Sequence, residues 1–134
     1  MGDQKNQLKD VCKGMKVLVV DDLFPNRALL KAYFEILGCE GDYAQNGLEA
    51  VEKVRENKYD ICLMDFQMPV MNGLEATKVI REELGSDMVI IALTGSATIE
   101  DLREGLCCGM NSYCVKPISM QDLARAMLVY KDLP

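Results

Sequence analysis

Polar side chains stand immediately after four apolar runs of this sequence. They are a pair of acids, a third acid, a threonine and a lysine: Asp21, Asp22, Asp65, Thr94 and Lys116. A charged side chain is costly inside a protein when it has no partner. Each run that ends on such a residue therefore indicates that the chain reaches the surface there, or that a partner keeps the charge in place.

Together these residue types are suited to phosphoryl chemistry. Three carboxylates in one cleft repel one another, which either raises pKa values or demands a cation. Mg²⁺ meets that demand, since it favours sites of one or two carboxylates completed by water and phosphate. The ammonium of Lys116 and the hydroxyl of Thr94 would bind an oxyanion. One carboxylate could attack phosphorus itself and form an aspartyl-phosphate.

Five apolar or β-branched runs predict the strands that would carry these residues. The runs are Lys16–Val20, Cys39–Ala44, Tyr59–Asp65, Met88–Leu93 and Asn111–Val115. Apolar residues at helical spacing predict five intervening helices. The first begins near Pro25, the next two follow the capping residues Asn46 and Asn72, the fourth covers 97–108 and the last begins at Ser119. Leu29 and Leu128 are assigned to the buried faces of their helices.

This alternation of strands and helices predicts a doubly wound α/β domain with a parallel sheet. In such sheets the functional crevice lies beyond the carboxyl ends of the strands. All four polar positions fall at that edge. Taken alone, each position has a simpler explanation: Asp65 as a turn or capping residue, and the others as turn or loop residues. Their convergence favours a site.

Composition excludes several other classes of function. The chain has 134 residues, enough for one domain, and a net charge of −6 with no broad basic cluster, which argues against direct nucleic-acid binding. We assign residues 1–14 to a polar tail or linker and 15–132 to the domain. Without a long apolar run or a signal-peptide core, we expect no membrane contact and a cytoplasmic location.

The six cysteines do not form a metal-binding pattern. No two of them make a CxxC pair, and the chain contains no histidine. We expect most of them to be small buried hydrophobic residues in a reducing compartment. The adjacent Cys107 and Cys108 leave a redox role open.

Four segments resemble, in order and spacing, the receiver domain of two-component response regulators. They are VLVVDD, LMDFQMPVMNG, ALTGS and YCVKPI. The similarity extends over about residues 16–130. It implies the flavodoxin-like fold, with five parallel strands in the order 2-1-3-4-5 and five helices.

The resemblance also implies roles for the residues at the strand ends. Asp65 would be the phosphoacceptor, taking a phosphoryl group from a histidine of a partner. Mg²⁺ would bind Asp22 and Asp65 directly, Asp21 through water, and the backbone carbonyl of Gln67. Lys116 would pair with a phosphoryl oxygen.

Further residues receive roles in switching and tuning. The peptide bond before Pro117 would be cis. Thr94 would move toward the phosphoryl group and Tyr113 would rotate inward with it, which would remodel the surface of the fourth helix, fifth strand and fifth helix. Gln67 and Ser96 occupy the two positions that tune hydrolysis of the aspartyl-phosphate in this family.

The segments DDLFPNR and MDFQMPVMNGLEAT resemble receivers of hybrid sensor kinases and phosphorelays. A histidine kinase or a histidine phosphotransfer protein is then the expected partner, and a dimer that depends on phosphorylation stays open. The chain would be a self-phosphorylating receiver and not an enzyme, either free-standing or part of a hybrid histidine kinase. The alternatives are a phosphorylation-independent pseudo-receiver, a flavin-binding module and an aspartyl-phosphate phosphatase. Such a phosphatase would need an acid where Gln67 stands.

Overall fold

The computed structural model describes residues 7–95 and 98–131 of the chain. Five strands alternate with five helices in this part. The strands are β1 (Lys16–Val20), β2 (Glu40–Ala44), β3 (Ile61–Asp65), β4 (Val89–Thr94) and β5 (Ser112–Val115). The helices are α1 (Phe24–Leu37), α2 (Gly47–Glu56), α3 (Gly73–Glu82), α4 (Ile99–Cys108) and α5 (Met120–Tyr130).

The strands form one parallel sheet in the order β2-β1-β3-β4-β5, so the predicted fold is confirmed. The pairing register brings the carboxyl ends of four strands level. Val20 pairs with Met64, Asp65 with Leu93, and Thr94 with Val115. The chain segments that leave these strands therefore meet at one edge.

Side chains of the central strands alternate between two cores, one on each face of the sheet. Val19 and Leu63 face the core that α1 and α5 complete, and Leu18 and Met64 face the core that α2 and α3 complete. Both faces of β3 are buried along its whole length. Because burial of one such side chain contributes about 1.5–3 kcal/mol, the central strands are firmly held beneath the edge where they end.

Side-chain caps begin four of the five helices. Asn72 and Glu75 form a reciprocal capping box at α3, as the sequence predicts. The Asn46 side chain accepts from the backbone N–H of Glu49 at α2. Helix α1 differs, because its N-cap residue Leu23 has no capping side chain. The first turn of α1 instead makes its polar contacts with Asp21, as described below.

Two apolar side chains that the sequence places on buried helix faces are exposed. Leu29 of α1 and Leu128 of α5 both lie on the surface, while their neighbours Leu30 and Met127 are buried. The predicted orientation of Leu29 and Leu128 is therefore wrong. Helical periodicity admits a wide apolar stripe, and the width that the sheet covers depends on neighbouring elements.

The described part of the segment assigned as a tail, residues 7–14, packs on the domain. Cys12 is fully buried, and its backbone N–H donates to the Leu37 carbonyl at 2.9 Å. The ammonium of Lys131 donates to the Val11 carbonyl at 3.0 Å. The structure thus differs from a free tail at these residues. The boundary at residue 15 stays a prediction, and residues 1–6 and 132 lie outside the described residues.

All six cysteines are free, and they lie at different depths. Cys12 and Cys62 are buried, Cys107 is exposed, and the other three are intermediate. Burial raises the pKa of the Cys62 thiol to about 12. Among the described helices, none has both the length and the apolar content needed to cross a membrane.

Candidate functional site

The strand ends bring the predicted site residues together. Asp21 follows β1, Asp65 ends β3 and Thr94 ends β4, and the backbone N–H of Lys116 donates to the Thr94 carbonyl at 2.8 Å. Three of these side chains are buried, with Asp21 at 0% and Asp65 at 7% exposure. The edge of the sheet therefore holds a compact polar cluster over two apolar cores.

An ammonium bridges two of the carboxylates. Lys116 Nζ lies 2.9 Å from Asp21 Oδ2 and 3.1 Å from Asp65 Oδ2. Partial burial by itself lowers the pKa of Lys116, but the hydrogen bonds and charges of Asp21 and Asp65 outweigh it and raise that pKa. Lys116 is therefore a firmly charged cation between the two acids.

Asp65 is buried, with Lys116 and the backbone N–H of Gln67 at its two oxygens. Desolvation raises the pKa of its carboxyl, the charge and hydrogen bond of Lys116 lower it, and the nearby Asp21 charge raises it again; the net shift is upward. The backbone N–H of Gln67 approaches Asp65 Oδ1 at 3.4 Å, a long hydrogen bond. A positive charge near Asp65 would stabilise its ionised, nucleophilic form.

Three donors hold the carboxylate of Asp21. Oδ1 accepts from the backbone N–H of Leu23 at 2.9 Å, Oδ2 accepts from Lys116, and the Asn26 amide reaches both oxygens at 3.3 and 3.1 Å. The Arg27 guanidinium donates to the Asp21 carbonyl at 2.7 Å. Sequence reasoning missed Asn26 and Arg27, for which the available signal was their place in the first helical turn after the acidic pair.

The acidic cluster fits a hard divalent cation. One carboxylate oxygen from each of Asp21, Asp22 and Asp65 can be chosen so that all three lie within 4.8 Å of one another. Asp22 is half-buried, which leaves it open to the cleft. A set of oxygen ligands with room for water is typical of Mg²⁺. The donor chemistry of these residues therefore fits that ion.

The loop between β3 and α3 shapes the floor of the site. Gly73 is buried where α3 begins, and its backbone N–H donates to the Phe66 carbonyl at 3.1 Å. A Cβ at Gly73 would collide with the carbonyl oxygen of Asp65, so the close approach requires glycine. Within the loop, Met71 donates to the Pro69 carbonyl at 2.7 Å around Val70, whose φ is +69°. This is a γ-turn with a β-branched residue at its centre.

The remaining predicted residues surround the cluster at different depths. The side chain of Thr94 is buried next to the strand end, whereas Tyr113 of β5 is exposed. Gln67 is exposed in the loop that follows β3. The peptide bond between Lys116 and Pro117 is cis. Ser96 lies outside the described residues.

A family model described as the response regulator receiver domain matches residues 17–128 of this chain. Among the curated relatives is the autoinducer 2 sensor kinase/phosphatase LuxQ of Vibrio vulnificus, which is 40% identical over 119 residues. That match covers 89% of this chain and 14% of LuxQ. The chain therefore spans a small part of the relative, and the matched part is the receiver region of a hybrid sensor kinase.

Solved structures agree in fold. The receiver domain of the sensor histidine kinase PA1611 from Pseudomonas aeruginosa, with magnesium coordinated in its active-site cleft, has a TM-score of 0.82 and 34% identity; the match covers 90% of this chain and 99% of that one. The complex of Ypd1 with the Ssk1 receiver domain from Saccharomyces cerevisiae gives a TM-score of 0.80 and 30% identity, covering 87% and 88%. Ypd1 is a histidine phosphotransfer protein.

Proposed function

This chain belongs to the response regulator receiver family, and on that premise we propose that Asp65 accepts a phosphoryl group from a phosphohistidine of a partner protein. The observation that carries this proposal is the pairing of Asp65 with Lys116 Nζ at 3.1 Å, at the edge where the strands end. A carboxylate held beside a fixed cation can act as a nucleophile without first losing a proton.

In the proposed reaction a carboxylate oxygen of Asp65 attacks phosphorus. The new O–P bond forms as the P–N bond to the histidine breaks, and the histidine nitrogen keeps the electron pair. Lys116, already within reach of Asp65, neutralises charge on a phosphoryl oxygen. Thr94, at the end of the neighbouring strand, supplies a hydroxyl for another oxygen.

We propose that Asp22, Asp65 and the backbone carbonyl of Gln67 would hold Mg²⁺ directly, and Asp21 through water. When bound, the ion offsets the repulsion among the three acids and the negative charge of the phosphoryl group. The spacing of the three carboxylates within 4.8 Å supports this assignment. The magnesium-bearing receiver of PA1611 is consistent with it.

Phosphorylation would be read out on the surface formed by α4, β5 and α5. In this proposal Thr94 moves toward the phosphoryl group and Tyr113 rotates inward from its exposed position. Gln67 and Ser96 then tune the lifetime of the phosphorylated state. A dimer on this surface is one route by which the change could be transmitted.

We further propose that the donor or acceptor is a histidine kinase or a histidine phosphotransfer protein, as the Ypd1–Ssk1 complex suggests for a receiver of this fold. The domain of residues 15–132 would act as a phosphoacceptor and not as an enzyme that turns over an external substrate. The six free thiols agree with a cytoplasmic, reducing setting.

The direct test is the intact mass of the protein after incubation with acetyl phosphate, with and without Mg²⁺. We expect a gain of one phosphoryl group that requires Mg²⁺ and is lost on treatment with hydroxylamine. Asp65→Asn should abolish the gain. Asp87→Asn, an exposed acid that precedes β4 at the opposite edge of the sheet, is the matched control and should retain it.

Other outcomes distinguish the alternatives. Mg²⁺ binding without a mass gain would indicate a receiver that accepts only from its protein donor, which incubation with a phosphorylated phosphotransfer protein would test. Neither Mg²⁺ binding nor a mass gain would refute the proposal and favour a pseudo-receiver that works without phosphorylation.

A further inference from the structure

The first turn of α1 binds both the side chain and the backbone of Asp21. Asn26 donates its side-chain amide to the carboxylate at 3.3 and 3.1 Å, and the next residue, Arg27, donates to the backbone carbonyl at 2.7 Å. Pro25, just before them, lies at a position that favours the start of a helix. One helical turn therefore fixes the residue that follows β1.

These contacts account for nearly all of the hydrogen-bonding capacity of the Asp21 side chain. A carboxylate offers about four lone-pair sites. Three donors fill most of these sites: the Leu23 N–H, the Lys116 ammonium, and the Asn26 amide, which is shared between the two oxygens. About one site is then left for the cation site. Since Asp21 is 0% exposed, its carboxylate depends on these protein donors and not on bulk solvent. Each donor therefore has a large influence on the orientation of the carboxylate.

The two side-chain donors, Lys116 and Asn26, differ in how firmly they are anchored. Lys116 has a long flexible side chain, and its ammonium is shared with Asp65 at 3.1 Å. In the reaction proposed above it turns toward a phosphoryl oxygen and gives up part of its contact with Asp21. Asn26 has a short side chain on a helix that packs on the sheet through Leu30 and Phe34. Asn26 can therefore hold the Asp21 carboxylate both before and after Lys116 turns toward a phosphoryl oxygen.

We propose that Asn26 is a positioning residue for phosphoryl transfer. Its amide keeps the Asp21 carboxylate oriented toward the cation site when Lys116 turns to the phosphoryl group. The assignment rests on the proposed function of Asp65 as a phosphoacceptor. With Asn26 included, helix α1 joins the strand ends in positioning the metal-binding acids.

Mg²⁺ titration by calorimetry tests this role without relying on phosphorylation. Asn26→Ala removes the amide and should weaken Mg²⁺ binding roughly tenfold, the lower end of the loss seen when a group that orients a metal ligand is removed. Asn26→Gln keeps an amide on a longer side chain and should recover part of the loss. The rate of phosphorylation by acetyl phosphate should fall in the same order.

Asn57→Ala provides a matched control. Asn57 donates a side-chain amide at 3.1 Å to the Lys53 carbonyl, at an exposed helix end far along the chain from the acids. This variant loses one amide hydrogen bond of similar length and should bind Mg²⁺ as the wild type does. Thermal unfolding of both variants checks that they are folded at the titration temperature.

The outcomes separate this proposal from the previous one. A wild type that binds Mg²⁺, with unchanged affinity in Asn26→Ala, would overturn the role of Asn26 alone. An equal loss in Asn26→Ala and Asn57→Ala would also overturn it, since the effect would then be one of general stability. A wild type that binds no Mg²⁺ would overturn both proposals.

Discussion

Val70 occupies a backbone conformation that its side chain disfavours. Its φ is +69°, and the hydrogen bond from Met71 to the Pro69 carbonyl closes a γ-turn around it. β-Branched residues are genuine outliers in this region. The side chain is 76% exposed, so it has little packing to offset the strain. We therefore expect Val70→Gly to stabilise the protein.

The size of the effect follows from two opposing contributions. Holding a residue in such a conformation costs about 1–3 kcal/mol, and glycine removes that cost. Glycine also increases the conformational entropy of the unfolded chain, which offsets about 0.4–1 kcal/mol. The balance is a gain of about 1 kcal/mol in the free energy of unfolding, or about 3–5 °C in Tm for a domain of this length.

Thermal and urea unfolding of two variants measures this difference. Val129→Gly is the matched control, because Val129 is 63% exposed but lies within α5. There glycine should lower stability by about 0.5 kcal/mol, through its poor helix propensity. Both variants change the unfolded chain alike, so their difference isolates the strain at Val70. If Val70→Gly unfolds no later than Val129→Gly, the reasoning about strain is refuted.

Three further predictions concern the supports of the site. Gly73→Ala should lower the free energy of unfolding by about 1–3 kcal/mol, because the new Cβ meets the carbonyl oxygen of Asp65, whereas Gly95→Ala has open space and should not; equal urea midpoints would contradict this. Tyr33→Phe removes the phenol that donates to the Ile118 carbonyl at 2.9 Å and should cost about 1 kcal/mol, and an unchanged midpoint would argue against that bond. Burial raises the pKa of the Asp65 carboxyl above 3.8, so the folded protein binds a proton there more tightly than the unfolded chain does. The contribution of Asp65 to stability therefore decreases as the pH rises above 3.8. Without Mg²⁺, the free energy of unfolding of Asp65→Asn minus that of the wild type should therefore increase as the pH rises above 3.8. A constant difference would contradict the shift, and a decreasing one would show the opposite sign.

The fold could be predicted from local patterns because several of them agreed. Apolar runs gave the five strands, and capping residues such as Asn46 and Asn72 marked two of the helix starts. The predicted third strand began two residues early, at Tyr59. Tyr59 is buried, as a strand residue would be, but it lies before the first residue of β3. Its phenol donates to the Asp42 carboxylate at 2.7 Å. A buried aromatic residue next to a strand therefore does not have to pair in the sheet.

The site was predictable where it depends on strand ends and hidden where it depends on α1. The convergence of Asp21, Asp65 and Lys116 follows from parallel strands with level ends. Asn26 lies on a helix, and whether its amide points at Asp21 depends on the path of the turn at Leu23, which no local pattern determines. Long-range packing is equally invisible in sequence, and Cys12 is buried within a segment whose composition is that of a tail.

The alkylation rates of the six free thiols can be used to measure how different parts of the protein open. Thiolates, not thiols, react with alkylating reagents, and the buried Cys62 has a pKa of about 12. A reagent added to the folded protein would modify the exposed Cys107 of α4 first, and would reach Cys62 only after β3 separates from its neighbours. The rate at each thiol then reports the free energy of the local or global opening that exposes it. Mass spectrometry after timed pulses could therefore distinguish fraying of α4 from dissociation of the central sheet, with no label introduced by mutation.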